Sequence, residues 1–210
     1  MAMKTKSELT RNLIIETALK LFNDEGAYRV TTNHIADKAG ISPGNLYYHF
    51  RNKEEIIREI FQRILARFDR LWGDDTGSIN AGGFADIFEE TCNIYYEYRF
   101  FYLEITQLLG HDADLKKIYE KNREKRFHQE REMYRTLIDT GILMEPESEQ
   151  ELSQLITIGW IISDFWLSYL CTSGRTITRE SVREYMVHVF RLLKPYLEPS
   201  ALAVFQGRSM

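Results

Sequence analysis

Apolar positions recur along the chain at intervals of three and four residues, and no stretch shows the strict alternation of a half-buried strand, so the pattern predicts helices throughout. Thr10 to Glu25 places Leu13, Ile14, Thr17, Ala18, Leu21 and Phe22 on one broad stripe and stops at Gly26. Thr31 or Thr32 caps a short second helix carrying Ile35, Ala36 and Ala39, which Gly40 ends. A third begins at once, with Ser42 as N-cap and Pro43 at the first helical position, where a missing N–H costs nothing. Behind an Asn52-x-x-Glu55 cap, a fourth runs from Lys53 to about Trp72 with Ile56, Ile57, Ile60, Phe61, Ile64, Leu65, Phe68 and Leu71 on its apolar faces. The turn-rich stretch Gly73 to Gly83 reads as a loop and a domain boundary.

Later helices are predicted at about Phe84 to Glu97, Phe100 to Leu109, Asp114 to Thr140, Glu149 to Cys171 and Thr178 to Tyr196. Ser148-x-x-Glu151 forms a capping box after Pro146, and Pro195 closes the last helix. The organisation expected is a first domain over residues 1–52, a connecting helix over 53–72, a larger helical domain over 73–198 and a flexible tail over 199–210. No internal repeat is present.

Residues 31–50 have the form of a DNA-reading helix-turn-helix. Ile41, Leu46 and Phe50 point inward, leaving Asn45, Tyr47, Tyr48 and His49 on outer flanks with donors for phosphate oxygens and base edges. Gly44 allows close backbone approach, and the Ser42 hydroxyl with nearby amides suits a phosphate. A competing pattern is Gly40-Ile41-Ser42-Pro43-Gly44, which also fits the G-x-S-x-G elbow of serine hydrolases with Ser42 as nucleophile. That chemistry needs a strand before the serine, and His34 to Ala39 has a helical pattern.

The run Thr32, Ile35-Ala36, Ala39-Gly40-Ile41-Ser42, Gly44, Leu46-Tyr47, His49-Phe50 and Lys53-Glu54 resembles the signature of the tetracycline-repressor (TetR) family over roughly residues 8–58. The remainder resembles that family only in length and helical pattern. The resemblance implies an all-α protein, with an N-terminal three-helix helix-turn-helix DNA-binding domain and a larger C-terminal ligand-binding and dimerisation domain. It implies that Ser42, Pro43, Gly44, Asn45 and Tyr48 face bases and nearby backbone, while Thr32, Tyr47, His49 and Lys53 face phosphates.

Charge changes the picture only modestly. Net charge is -4 over 210 residues, which argues against a general nucleic-acid coat. Residues 1–60 hold nine Lys/Arg and eight Asp/Glu, against eighteen and twenty-three in the rest, so the DNA-reading end is only mildly basic. Dimeric, shape-led binding with moderate salt dependence follows. Cys92 and Cys171 lie in helical patterns without metal-ligand spacing and are expected to be buried, reduced thiols in the cytoplasm; no metal site or cofactor is indicated. The first twelve residues lack a hydrophobic signal region, and the apolar run Leu155 to Leu170, interrupted by Ser163, Asp164 and Ser168, reads as a buried helix rather than a membrane span.

Two further sites follow from the resemblance. The C-terminal region is unusually aromatic, and the resemblance implies a small-molecule cavity there, with Phe88, Tyr95, Phe101, Tyr102, Asn122, Arg126, Gln129, Trp160 and Asp164 as candidate walls and an apolar or aromatic ligand. An inward-facing Arg126 would hold an acidic ligand group. Leu155, Gly159, Ile162 and Trp166 form one stripe and Val182, Met186, Val189 and Leu193 another; these suit either a monomer core or the four-helix dimer interface that the resemblance implies. The expected partners are therefore a near-palindromic double-stranded DNA operator, a small-molecule effector and a second copy of the chain. The expected function is a ligand-released homodimeric repressor; the alternative is an architectural or division-control DNA-binding protein of the same fold.

Overall fold

The computed structural model describes residues 5–72 and 81–199; for Trp72, residues 81–86 and Phe88 the backbone alone is described. Ten α-helices follow in order: α1 (Lys6–Glu25), α2 (Thr32–Lys38), α3 (Pro43–His49), α4 (Lys53–Trp72), α5 (Ala81–Glu97), α6 (Arg99–Leu103), α7 (Ile105–His111), α8 (Ala113–Asp139), α9 (Glu149–Thr172) and α10 (Arg179–Leu193). A 3₁₀ turn, Lys194–Tyr196, follows α10. Among the described residues, extended backbone pairs only at an isolated bridge between Leu143 and Leu197.

Side-chain caps set most of the early boundaries. Thr5 and Glu8 form a reciprocal capping box that starts α1 four residues before the expected Thr10. Thr31 caps α2 through the His34 N–H at 3.1 Å, Ser42 caps α3 through the Asn45 N–H at 3.2 Å, and Asn52 accepts the Glu55 N–H at 2.9 Å. Gly26 ends α1 at φ 84°, in the region that only glycine enters freely.

Three expectations for the later chain are revised. The helix expected over Phe100 to Leu109 is two helices, α6 and α7, separated at Glu104, whose φ/ψ of -113°/12° breaks the helical path. α5 begins at Ala81, inside the stretch read as loop, and the final α-helix stops at Leu193. Residues 73–80 and the tail from 200 onward lie outside the described residues.

Packing divides by position along the chain. Ile14, Ala18, Phe22, Ile35, Leu46 and Phe50 are all but sealed from solvent and tie α1, α2 and α3 together, with Ile56 and Ile60 of α4 closing the same core. Each large side chain buried this way contributes about 1.5–3 kcal/mol. α6 reaches back to α1: the Asn23 amide donates to the Glu97 carbonyl at 2.7 Å and accepts the Phe100 N–H at 3.1 Å. Glu104 accepts the Ala27 N–H at 2.8 Å, and Arg58 of α4 pairs with buried Asp112 at 2.6 Å. The Asn23 and Glu104 contacts seat the first helices on the rest of the molecule, and the Arg58–Asp112 pair ties α4 to the start of α8.

Among the described residues, α9 is long and apolar enough, by length and composition alone, to cross a membrane. It packs between α10 and α6 and buries Asp164, the arrangement of a core helix.

Candidate functional site

The turn between α2 and α3 presents a polar edge. α3 buries Leu46 completely and leaves Ser42, Pro43, Gly44, Asn45, Tyr47 and Tyr48 exposed; Tyr48, at 80% exposure, stands almost free. An added Cβ at Gly44 would meet nothing within 4 Å, so its backbone is open to a partner. The Tyr47 hydroxyl lies 3.0 Å from the Thr32 hydroxyl, which joins α2 and α3 across that edge. His49 is half-buried, with its ring edge-on to Tyr48 at 5.1 Å. Behind it, Arg11 donates to the His49 carbonyl at 3.1 Å, pairs with Glu59 at 2.6 Å and lies over the Phe50 ring, fixing the end of α3 to α1 and α4.

Lys53 is placed differently from the expectation of an outward, phosphate-facing charge. Its ammonium donates to the carbonyls of Ala27 at 2.6 Å and Val30 at 3.0 Å. Two of three donors are thereby turned inward, because the α1–α2 turn leaves carbonyls that no helix satisfies. Sequence position marked Lys53 as the start of a helix; the fold makes it a brace. Ser42 follows α2 and a turn rather than a strand, and its hydroxyl oxygen caps α3, so the elbow geometry of a hydrolase is not formed.

A cavity of about 110 Å³ lies between α4, α5, α6, α8, α9 and α10. Phe61, Ile64, Leu65 and Phe68 supply the α4 wall. Of the expected wall residues, Tyr95, Phe101, Tyr102, Asn122, Arg126, Trp160 and Asp164 are brought together there. Gln129 stands behind them, accepting from Arg126 at 2.7 Å, and the Phe88 side chain lies outside the described residues. The rings pack in pairs: Phe61 stacks on Phe101 at 4.6 Å, and Tyr95 meets Tyr102 edge-on at 4.5 Å.

Three ionisable side chains, Arg126, Glu130 and Asp164, stand in the cavity among uncharged Thr91, Asn122, Ser163 and tyrosine hydroxyls. Asp164 accepts from the Tyr119 hydroxyl and from the Trp160 indole N–H at 2.8 Å; burial pushes its carboxyl up to about 6 despite those two donors. Arg126 is buried, pairs with Asp69, and also reaches the Leu65 carbonyl at 3.4 Å. Its Nε is the one buried side-chain polar atom without a partner among the described residues. The role foreseen for Arg126 is thus largely filled by Asp69, which an arginine in a charged helical run gave no means of pairing in advance. Sequence reasoning also missed Glu130, Tyr119, Ser163 and Tyr185 as wall residues. Glu130 looked like one more solvated charge in α8, yet burial pushes its carboxyl up to about 8.

Residues 14–60 match the family of bacterial regulatory proteins of the TetR type, and residues 51–205 match the associated bacterial transcriptional repressor family. The chain belongs to the TetR family. A solved TetR-family transcriptional regulator from Marinobacter aquaeolei VT8 is 32% identical, with a TM-score of 0.84 over 98% of both chains. The probable acrEF/envCD operon repressor of Escherichia coli K12 is 41% identical over 63 residues, 29% of each chain. The regulator UidR of the same strain is 37% identical over 70 residues, 31% of this chain and 36% of its own. The match thus spans roughly a third of these curated relatives.

The stripes expected to serve either the monomer core or a dimer interface are largely turned inward in the single chain. Leu155, Trp166, Val182, Val189 and Leu193 are buried within the single chain, and Gly159, Ile162 and Met186 are half-buried. The exposed apolar stripe is Ile158, Ile161, Phe165 and Tyr169, on a flank of α9 turned away from the core. α9 is apolar nearly all round, so periodicity left two faces to choose between. Cys171, expected to be buried, is exposed at the end of this helix, whereas Cys92 is buried.

Proposed function

We propose that this TetR-family protein is a homodimeric, sequence-specific DNA-binding repressor of the cytoplasm, released from its operator when a small apolar or aromatic ligand fills the cavity. The observation that carries the reading is α4. One helix supplies the cavity wall at Phe61, Ile64, Leu65 and Phe68, and its first residue, Lys53, holds the turn between α1 and α2.

In this account residues 1–52 read DNA, 53–72 connect, and 73–198 bind ligand and dimerise. The paired α3 helices enter successive major grooves, with Ser42, Pro43, Gly44, Asn45 and Tyr48 at bases and nearby backbone and Thr32, Tyr47 and His49 at phosphates. Lys53 acts on the phosphates indirectly, by holding the turn. The exposed stripe of α9 supports two-fold pairing, since an apolar helix face of that length is ordinarily covered. Ligand between α4, α8 and α9 tilts α4 and moves the two heads out of register. Differential affinity for the two shapes drives the shift, and a coupling of about 1–3 kcal/mol changes operator affinity about 5- to 150-fold.

Selection of bound sites from a random DNA pool tests the reading, with wild type and Tyr48→Ala in parallel at physiological salt. Enrichment of an inverted repeat by wild type alone is expected; no enriched sequence, or equal enrichment by a folded Tyr48→Ala protein, refutes it.

A further inference from the structure

Half-buried Glu130 lines the cavity, and its carboxyl makes no hydrogen bond or close ion pair with another described residue, feeling Arg126 only at longer range. The cavity's other acid, Asp164, is satisfied by Tyr119 and Trp160. Its single basic side chain, Arg126, already faces Asp69, so the remaining charge of the interior is acidic. Nine aromatic side chains complete the wall, and ring faces attract cations, most strongly where water is excluded. An unpaired acid in such a place keeps its proton until something cationic comes to meet it.

We propose that the cavity takes a lipophilic cation, a quaternary or protonated amine carried on aromatic or branched apolar groups, with Glu130 as its counter-ion. The proposal rests on reading the cavity as the effector site. An acidic ligand would have to displace Asp69 from Arg126 or settle for the lone Arg126 Nε, and it would meet Glu130 and Asp164 at close quarters.

Proton linkage follows from the same surroundings. Glu130 faces Arg126 and Tyr134 on its own helix, Asp164 on α9, Tyr95 on α5 and Tyr185 on α10, while Asp69 of α4 lies beyond Arg126. With its carboxyl pushed up to about 8, Glu130 is mostly protonated in the empty cavity at neutral pH. A cation seated beside it favours the carboxylate, so binding expels a proton and tightens as pH rises toward 8.

The test is isothermal titration of the full chain at pH 7, in two buffers of different ionisation heat, with three probes of one shape. These are (2-naphthylmethyl)trimethylammonium, its uncharged isostere with carbon in place of nitrogen, and 2-naphthylmethanesulfonate. The cation is expected to bind at least tenfold more tightly than the other two and to release a proton. Glu130→Gln is expected to lose that margin and the proton release while binding the uncharged isostere unchanged, with helicity and melting temperature reporting its fold. The wild-type comparison stands even if the variant does not fold. Equal or tighter binding of the isostere or the sulfonate, or a margin that survives Glu130→Gln, overturns the cation and leaves the effector site intact. Binding of none of the three overturns both, and DNA-site selection reports separately on the operator.

Discussion

Removing the Glu104 carboxylate should loosen the first three helices from the rest of the molecule. Glu104 accepts the N–H of Ala27, a residue 1% exposed, at 2.8 Å. An added Cβ on neighbouring Gly26 would sit 2.9 Å from the same oxygen, so the carboxylate fills the space above the turn. Glu104→Ala leaves a buried N–H without that acceptor. Hydrogen bonds to charged groups are worth about 1.5–3 kcal/mol, and the orphaned donor adds its desolvation. Taking about 2 kcal/mol, and about 2–4 °C per kcal/mol for a chain of this size, the melting temperature should fall by about 4–8 °C. Glu104→Gln keeps an oxygen acceptor and should lose less than half as much. Thermal unfolding followed by far-UV circular dichroism, at one protein concentration, measures both. An alanine variant that melts within about 1 °C of wild type, or a glutamine variant as weak as alanine, refutes the assignment.

Other consequences follow from single features. Gly26→Ala places a side chain at φ 84° and against Glu104, and should destabilise by about 1–2 kcal/mol in chemical denaturation, with Gly44→Ala, in open space, changing stability far less. Ile161→Glu or Phe165→Glu should yield monomers in sedimentation velocity and weaken operator binding without unfolding the chain, because both side chains are exposed in the single subunit. Maleimide should label exposed Cys171 readily in a monomeric variant and spare Cys92, whose buried thiol is pushed up to about 12, until the protein unfolds. For pH, Glu130 and Asp164 both have folded values above the ordinary carboxylate range, about 8 and about 6, so the fold binds more protons than the unfolded chain between about pH 4 and 8. Stability should therefore fall as pH rises through that window. Urea midpoints at pH 5, 6.5 and 8 show the slope, which Glu130→Gln should flatten above pH 6.

The first four helices were legible because local chemistry sets their ends. Thr31, Ser42 and Asn52 are caps that act within three residues, and Pro43 can stand only at the start of a helix. The polar edge of α3 follows from the same short pattern. What escaped depends on contacts distant in sequence. Glu104 leaves an apolar, helix-compatible run to meet Ala27, 77 residues away, and so divides α6 from α7. Lys53 turns inward for carbonyls 23 and 26 residues earlier. Glu130 shares with Arg126 a highly charged helix whose inner face is chosen by α4 and α9; Arg126 was foreseen as a wall residue, but composition disguised Glu130. The α9 stripes show the same limit: periodicity found apolar faces, and only packing against α10 and α6 told the inner from the outer.

The central claim is that the state of the cavity reaches the DNA-reading edge through α4. Gly159 lines the cavity, and an added Cβ there would meet nothing within 4 Å, so Gly159→Phe projects a ring into the space a ligand would fill. The deciding measurement is the affinity of this variant for the selected operator against wild type, at one salt concentration, with dimerisation and helicity matched. Affinity lowered 5-fold or more, as if ligand were bound, is predicted; unchanged affinity in a variant whose cavity no longer takes a naphthyl probe would contradict the account.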